Sequence, residues 1–366
     1  MALVNFTYNE IEKSINNNIN NELTLYEQFD SNDEQRREMN ALATSNNKNV
    51  SKLFDSEKQN DDNSYTNFNI RLKRPILILK CHSNSIGCAI VLNDGRLATC
   101  SNDQLIIIYN NKTFKPDLII KEHTDFVIYI LQLSSGMLAS CSQDQTIKIY
   151  NIHYNNYEHL QTLNYHISKI TKIIEMSNKK LVSCSQNSII IYFKDNINKY
   201  KKDYQIKTNK ICWSIIQTKE NEICYGEDLH GDDSINFFDL LEKKIINKIN
   251  NLSIIGWNSF NMITKDLLLI TGSDRLSIIN VNQHNLVRII NVYNSRFITG
   301  SCLLNKNIVL TGDESKTIRQ WEIVGDNLKL ISIKENAHNY RINIIIKLGN
   351  GCILSGSRND GIIKIW

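Results

Sequence analysis

From residue 75 to Trp366 the chain alternates short apolar runs with polar corners. The clearest instance is Leu138–Tyr150, LASCSQDQTIKIY. Its apolar runs Met137–Ser140 and Thr146–Tyr150 flank a polar turn that holds Asp144, as in two β-strands joined by a hairpin. His123 stands seventeen positions before Ser140. The same phrase returns as LATCSNDQLIIIY ending at Tyr109, LVSCSQNSIIIY at Tyr192, VLTGDESKTIRQW at Trp321 and ILSGSRNDGIIKIW at Trp366. Two looser copies, ICYGEDLHGDDSINFF (223–238) and LITGSDRLSIINV (269–281), fill the gap.

Anchor residues Thr99, Ser140, Ser183, Tyr225, Thr271, Thr311 and Ser355 lie 41, 43, 42, 46, 40 and 44 positions apart. An all-β repeat of that length is the unit of a four-stranded propeller blade. On the His…Ser/Thr…Asp…Trp/Tyr spacing, the chain resembles the WD-repeat (WD40) β-propeller family over about 75–366, in seven copies. The last copy keeps the family's terminal Trp366 with His338, Ser355 and Asp360; the first two end in Tyr109 and Tyr150, and the middle copies lack several signature residues. No subfamily is indicated. The expected fold is all-β: a seven-bladed propeller over 71–366, closed by an N-terminal strand.

That closure follows by counting. Each copy supplies three inner strands, and an outer strand comes next in sequence. Pro75–Lys80 has no inner strands before it, and nothing follows Trp366 to complete the seventh blade. The two are expected to pair. Pro75 and Pro116, the two prolines of the chain, open equivalent elements. Proline is tolerated at the start of an edge strand, where no ladder donor is needed.

Residues 1–70 differ in kind. They are Asn-rich and polar, and residues 1–20 are too poor in apolar groups to offset ordering entropy. A weak helix is expected over 22–43, around Leu23, Tyr26, Phe29, Met39 and Leu42. The rest of the tail reads as disordered. It holds 6 Lys/Arg against 12 Asp/Glu, a charge of −6, whereas residues 71–366 carry +10 within the net +4. Such a tail could fold back on the basic body or meet a basic partner, or it is simply solvated.

Composition narrows the function classes. No apolar run approaches the ~18 residues of a membrane span, and the N-terminus lacks a secretory pattern. Cys100, Cys141 and Cys184 occupy one repeat position in different blades, so they read as buried thiols rather than disulfide partners. A reducing, cytoplasmic setting is expected, with the nucleus left open. Basic residues are dispersed apart from Lys199-Tyr200-Lys201-Lys202, which argues against nucleic acid as the partner.

The recurring polar residues invite a catalytic reading, which their periodicity opposes: a catalytic site needs one copy in one cleft. The family resemblance implies instead that His82 with Asp103, His123 with Ser140 and Asp144, and His338 with Ser355, Asp360 and Trp366 form hydrogen-bond networks that satisfy buried groups. The stretched turn Glu227–Asp233 matches no ligand pattern for a metal and no calcium loop. Phosphate loops and nucleophile elbows are also lacking. The reading is therefore no enzyme, no cofactor and no metal.

What remains is surface. Three positions after each His-equivalent lie Ser85, Phe126, Lys169, Ile211, Trp257, Phe297 and Arg341. In the family this entry lies at the rim of one face, where the hairpin turns add Asn102, Gln143, Arg275, Glu314 and Arg358. Aromatics among Arg and Lys make the composition of binding hot spots, although the aromatics also suit packing between blades. Phe126, Lys169, Trp257, Phe297, Arg341, Arg275 and Arg358 are the candidate partner-binding residues. The flanks, outer strands of alternating polarity, read as less specific. The expected function is a non-catalytic scaffold that binds a protein or peptide on this face, as a monomeric propeller within a larger complex. The alternative is a substrate-recognition subunit of a ubiquitin ligase. Against it, Tyr150 is followed by Asn-Ile-His and Trp321 by Glu-Ile-Val, neither an Asp-x-Arg, and the tail shows no F-box.

Overall fold

The computed structural model describes residues 3–5, 74–80, 82–228, 233–252, 260–292, 297–349 and 351–366. Seven sheets, antiparallel but for one added strand, succeed one another along the chain. Blades one to six each take four consecutive strands: Ile86–Ile120, Val127–Leu163, Ile170–Lys207, Ile211–Asn250, Phe260–Asn291 and Ile298–Lys334. Blade seven takes three from Ile342 to Ile365, and its fourth comes from the other end of the propeller. Leu77–Lys80 pairs antiparallel with Ile362–Ile365, Leu77 opposite Ile365 and Lys80 opposite Ile362. Ile76 N–H adds a bond to the Ile365 carbonyl at 2.6 Å. The expected clasp is therefore present, although its strand begins at Leu77, two residues after Pro75, whereas Pro116 does open the outer strand of blade one.

One strand was not anticipated. Leu3–Asn5 lies parallel to Leu77–Lys80 and gives blade seven a fifth strand. These three residues belong to a stretch read as unstructured; they form an element because the sheet edge supplies ladder partners that a polar segment cannot supply for itself. The expected helix over 22–43 lies outside the described residues.

The second strand of each hairpin is the best buried. Leu97–Ser101, Leu138–Ser142, Leu181–Ser185 and Ile353–Ser357 are buried at every position. Apolar residues of adjacent blades close the space between sheets: Met176, Val182 and Ile191 of blade three meet Ile215, Tyr225 and Phe238 of blade four. Each such Ile or Leu contributes about 1.5–3 kcal/mol on full burial. This packing explains why the middle blades fold without the full polar signature. Cys100, Cys141 and Cys184 lie in these interiors as buried thiols.

Polar latches also join the blades. Gln132 Oε1 accepts from Asn93 N–H at 2.7 Å, Glu175 Oε2 from Ser134 N–H at 2.6 Å, and Gln217 Oε1 from Ser177 N–H at 2.9 Å. In each case the end of one inner strand caps the first turn of the preceding blade. At the closure, Asn343 Nδ2 of blade seven donates to the Ile86 carbonyl of blade one at 3.2 Å.

Candidate functional site

The periodic polar residues form networks inside single blades. In blade one, His82 Nδ1 is 2.9 Å from Asp103 Oδ2, its Nε2 is 2.8 Å from Thr99 Oγ1, and the Thr99 hydroxyl donates to Tyr109 at 3.2 Å. Blade two repeats this with His123 at 2.7 Å from Asp144 and 2.6 Å from Ser140. Each aspartate also accepts from a backbone N–H at the entry, Ser83 and Thr124 respectively, so entry loop and hairpin turn are tied together. Burial alone would raise both carboxyls. The neighbouring imidazoles and the backbone N–H donors outweigh it and hold Asp103 and Asp144 below the ordinary carboxylate range.

Blade seven departs from the expected set. His338 Nε2 lies 2.7 Å from Ser355 Oγ, and Trp366 Nε1–H donates to the same oxygen at 2.8 Å. His338 Nδ1, however, has no partner, and Asp360 does not reach it. The reason is register. Asp103 and Asp144 follow their anchors by four positions, whereas Asp360 follows Ser355 by five. The extra residue turns Asp360 onto its own hairpin, where it accepts from Ser357 Oγ and from Ile362 N–H. Burial, with the Lys364 charge, lowers the His338 pKa to about 3, so the imidazole is neutral at pH 7. Burial does the same to His166 of blade three, which bonds Ser183 at 2.6 Å.

Several entry residues lie beside the hairpin turn of their own blade. The carbonyls of Ser85, Phe126, Phe297 and Arg341 accept from the N–H groups of Asn102, Gln143, Glu314 and Arg358 at 2.9–3.1 Å. Entry and hairpin turn are thus adjacent in blades one, two, six and seven. Phe126 is half-buried. Phe297 is 40% exposed and sits at φ 47°, a left-handed conformation costly for a bulky residue. Arg341 Nη1 lies 3.8 Å from Glu314 across the blade six–seven boundary, and its buried Nε has no partner. Arg358 is half-buried beside it. Arg275 pairs with its neighbour Asp274 at 3.0 Å.

Lys169 holds its ammonium 5.3 Å from the Trp213 ring centre. Trp213 was not singled out from sequence. It is the extra residue of a bulge between Cys212 and Ser214, a shift that no residue type announces. Trp257 lies outside the described residues, as do 229–232 of the long turn. At the ends of that turn, Glu227 accepts from Asn236 at 3.0 Å and Asp233 is buried. Among the described residues no three His, Cys, Asp or Glu side chains converge as metal ligands, and no helix is long and apolar enough to cross a membrane. A cleft of about 200 Å³, lined by Met137, Ile149, Leu160, Ile197 and Tyr200, lies between blades two and three, away from the rim residues named above.

Sequence and structure comparisons agree with this architecture. The pattern of the WD domain, G-beta repeat, matches residues 73–110 and 114–151. The two matched repeats, together with the seven-bladed ring, support a WD-repeat propeller and indicate no particular subfamily. A solved structure described as "Structure of U3-55K" is similar with a TM-score of 0.65 and 16% identity over 79% of this chain and 97% of that one, a likeness of fold. No curated protein matches the chain.

Proposed function

We infer that the protein is a non-catalytic interaction platform that binds a protein or peptide partner on the face carrying Phe126, Lys169, Phe297, Arg341 and Arg358. The observation that carries this reading is Phe297. Phe297 keeps 40% of its surface exposed at a φ of 47°, its carbonyl accepts from Glu314 N–H, and Arg341, which approaches the Glu314 side chain, keeps a buried Nε without a partner. Backbone strain of this kind persists where the surroundings impose it, and such positions concentrate at binding sites. The polar side chains that could resemble catalytic groups are engaged within their own blades, which supports a role in stability rather than chemistry.

The test is affinity capture from cell extract with full-length protein, comparing wild type, Arg341→Glu and a control on the outer strand of blade three, Lys207→Glu. All three are expected to melt alike, because Arg341 and Lys207 reach solvent. Arg341→Glu is expected to lose the main partner and Lys207→Glu to keep it. An unchanged partner set for Arg341→Glu, with loss in the control, would move the binding site off this face.

A further inference from the structure

The flank of blades four to six does not have the alternating polar character expected of it. The outer strands Lys244–Asn250, Asn285–Asn291 and Asn327–Lys334 are seven, seven and eight residues long. Each lies at the end of its sheet, and among the described residues no strand pairs with its outer side. They expose Ile245, Ile289, Leu330 and Ile333 at 40–51%. They carry Lys244, Lys248, Arg288, Lys329 and Lys334 and contain no Asp or Glu. Single contacts link each outer strand to the turn before the next one. Asn247 Nδ2–H donates to the His284 carbonyl between blades four and five, and Arg288 lies 3.6 Å from Asp326 between blades five and six.

A long, apolar, unpaired edge is a template for another strand unless something blunts it. In blades four to six a bulge at Ile246, Val287 or Ile331 and the edge lysines blunt these strands only in part. Two other blades are closed more fully. Blade one opens its outer strand with Pro116, and blade seven is covered by Leu3–Asn5. The added strand on blade seven also shows that an outermost strand of this ring accepts a further one. Charge then selects the occupant. A second copy of the same edge would bring lysine against lysine. An acidic extended segment would gain cross-strand pairs of opposite charge as well as apolar contact.

We propose that the outer edge of blade six, Asn327–Lys334, binds an extended peptide segment of alternating acidic and apolar residues by strand addition. Its acidic side chains meet Lys329 and Arg288, its apolar ones cover Leu330 and Ile333, and its backbone completes the ladder. This site is separate from the rim face and does not depend on it.

The probe is a fluorescein-labelled peptide, Glu-Val repeated four times, titrated with full-length protein and read by fluorescence anisotropy at low salt. Binding is expected for this peptide and not for its Lys-Val counterpart, nor for a version with alternate backbone amides N-methylated on the pairing edge. Lys329→Glu combined with Ile333→Glu is expected to weaken binding about tenfold or more. Lys207→Glu and Arg341→Glu should leave it unchanged, with all variants melting like wild type. Hydrogen exchange should slow across 327–334 in the bound state. Three outcomes would each overturn the proposal: no binding of any peptide by wild type; binding of the N-methylated peptide as tight as that of its parent; or sedimentation that shows wild type dimerising through a contact the double variant abolishes, which would make the edge a self-pairing surface.

Discussion

At the scale of single residues, spacing predicts partners only where the turn length is kept. The seventeen-residue interval between His and anchor holds in blades one, two, three and seven, and in each the Nε2 bond to Thr or Ser is present. The step from anchor to Asp is four in blades one and two but five in blade seven, and there the His–Asp contact is missing. Residue type alone therefore misassigned Asp360 to the network. The difference gives an internal control. Asp144→Ala strips His123 and the Thr124 and Thr146 N–H groups of an acceptor and is expected to cost about 1–3 kcal/mol. Asp360→Ala removes bonds local to one turn and is expected to cost less than half as much. Denaturant midpoints of the two variants decide the point; equal losses would mean that the aspartate acts through its hairpin and not through the imidazole.

Among elements, the hairpins were legible because their second strands are short runs of apolar and small residues around a Ser/Thr anchor and their turns are polar, a contrast that needs no tertiary knowledge. The outer strands were not. Whether Ile289 or Ile333 is covered depends on what stands beyond the sheet edge, which alternation along one strand does not encode. The bulge that places Trp213 under Lys169 was hidden for the same reason, since register shifts are set by both strands of a pair. Turn geometry is legible at glycine. Gly361 lies at φ +61° in the blade-seven hairpin, and a Cβ there would stand 2.0 Å from the His82 carbonyl oxygen. Gly136 shares the left-handed backbone, at φ +87°, but would meet nothing within 4 Å. Alanine at 136 should cost about 1–2 kcal/mol for the backbone alone. Alanine at 361 should cost clearly more, because backbone of the segment entering blade one must move. Thermal melts of Gly136→Ala and Gly361→Ala compare strain with strain plus collision, and similar melting temperatures would show that the turn and His82 are not in close contact.

For the whole molecule, the ring is completed by a noncovalent join between strands distant in sequence. Leu77–Lys80 supplies four ladder pairs to Ile362–Ile365, with Ile78 and Leu79 buried in the blade. Leu3–Asn5 lies outside it and adds three pairs along the outer side. The two therefore differ in what their loss exposes. Deleting residues 1–70 removes the fifth strand and leaves the four-stranded blade and its buried face intact. Deleting residues 1–80 uncovers the edge of Ile362–Ile365 and the apolar side chains that Ile78 and Leu79 cover. Losing two largely buried aliphatic side chains costs roughly 2–5 kcal/mol each in other cores, before any unpaired backbone is counted. The shorter deletion is thus expected to melt within a few degrees of the full chain. The longer one is expected to melt far lower or to aggregate through the opened edge, which is the fate of an exposed apolar strand. Melting followed by circular dichroism, with light scattering recorded in parallel, separates the two. If the 1–80 deletion melts like the 1–70 deletion and stays monomeric, the join between the ends contributes nothing to stability, and the ring must be held by packing and latches between blades alone.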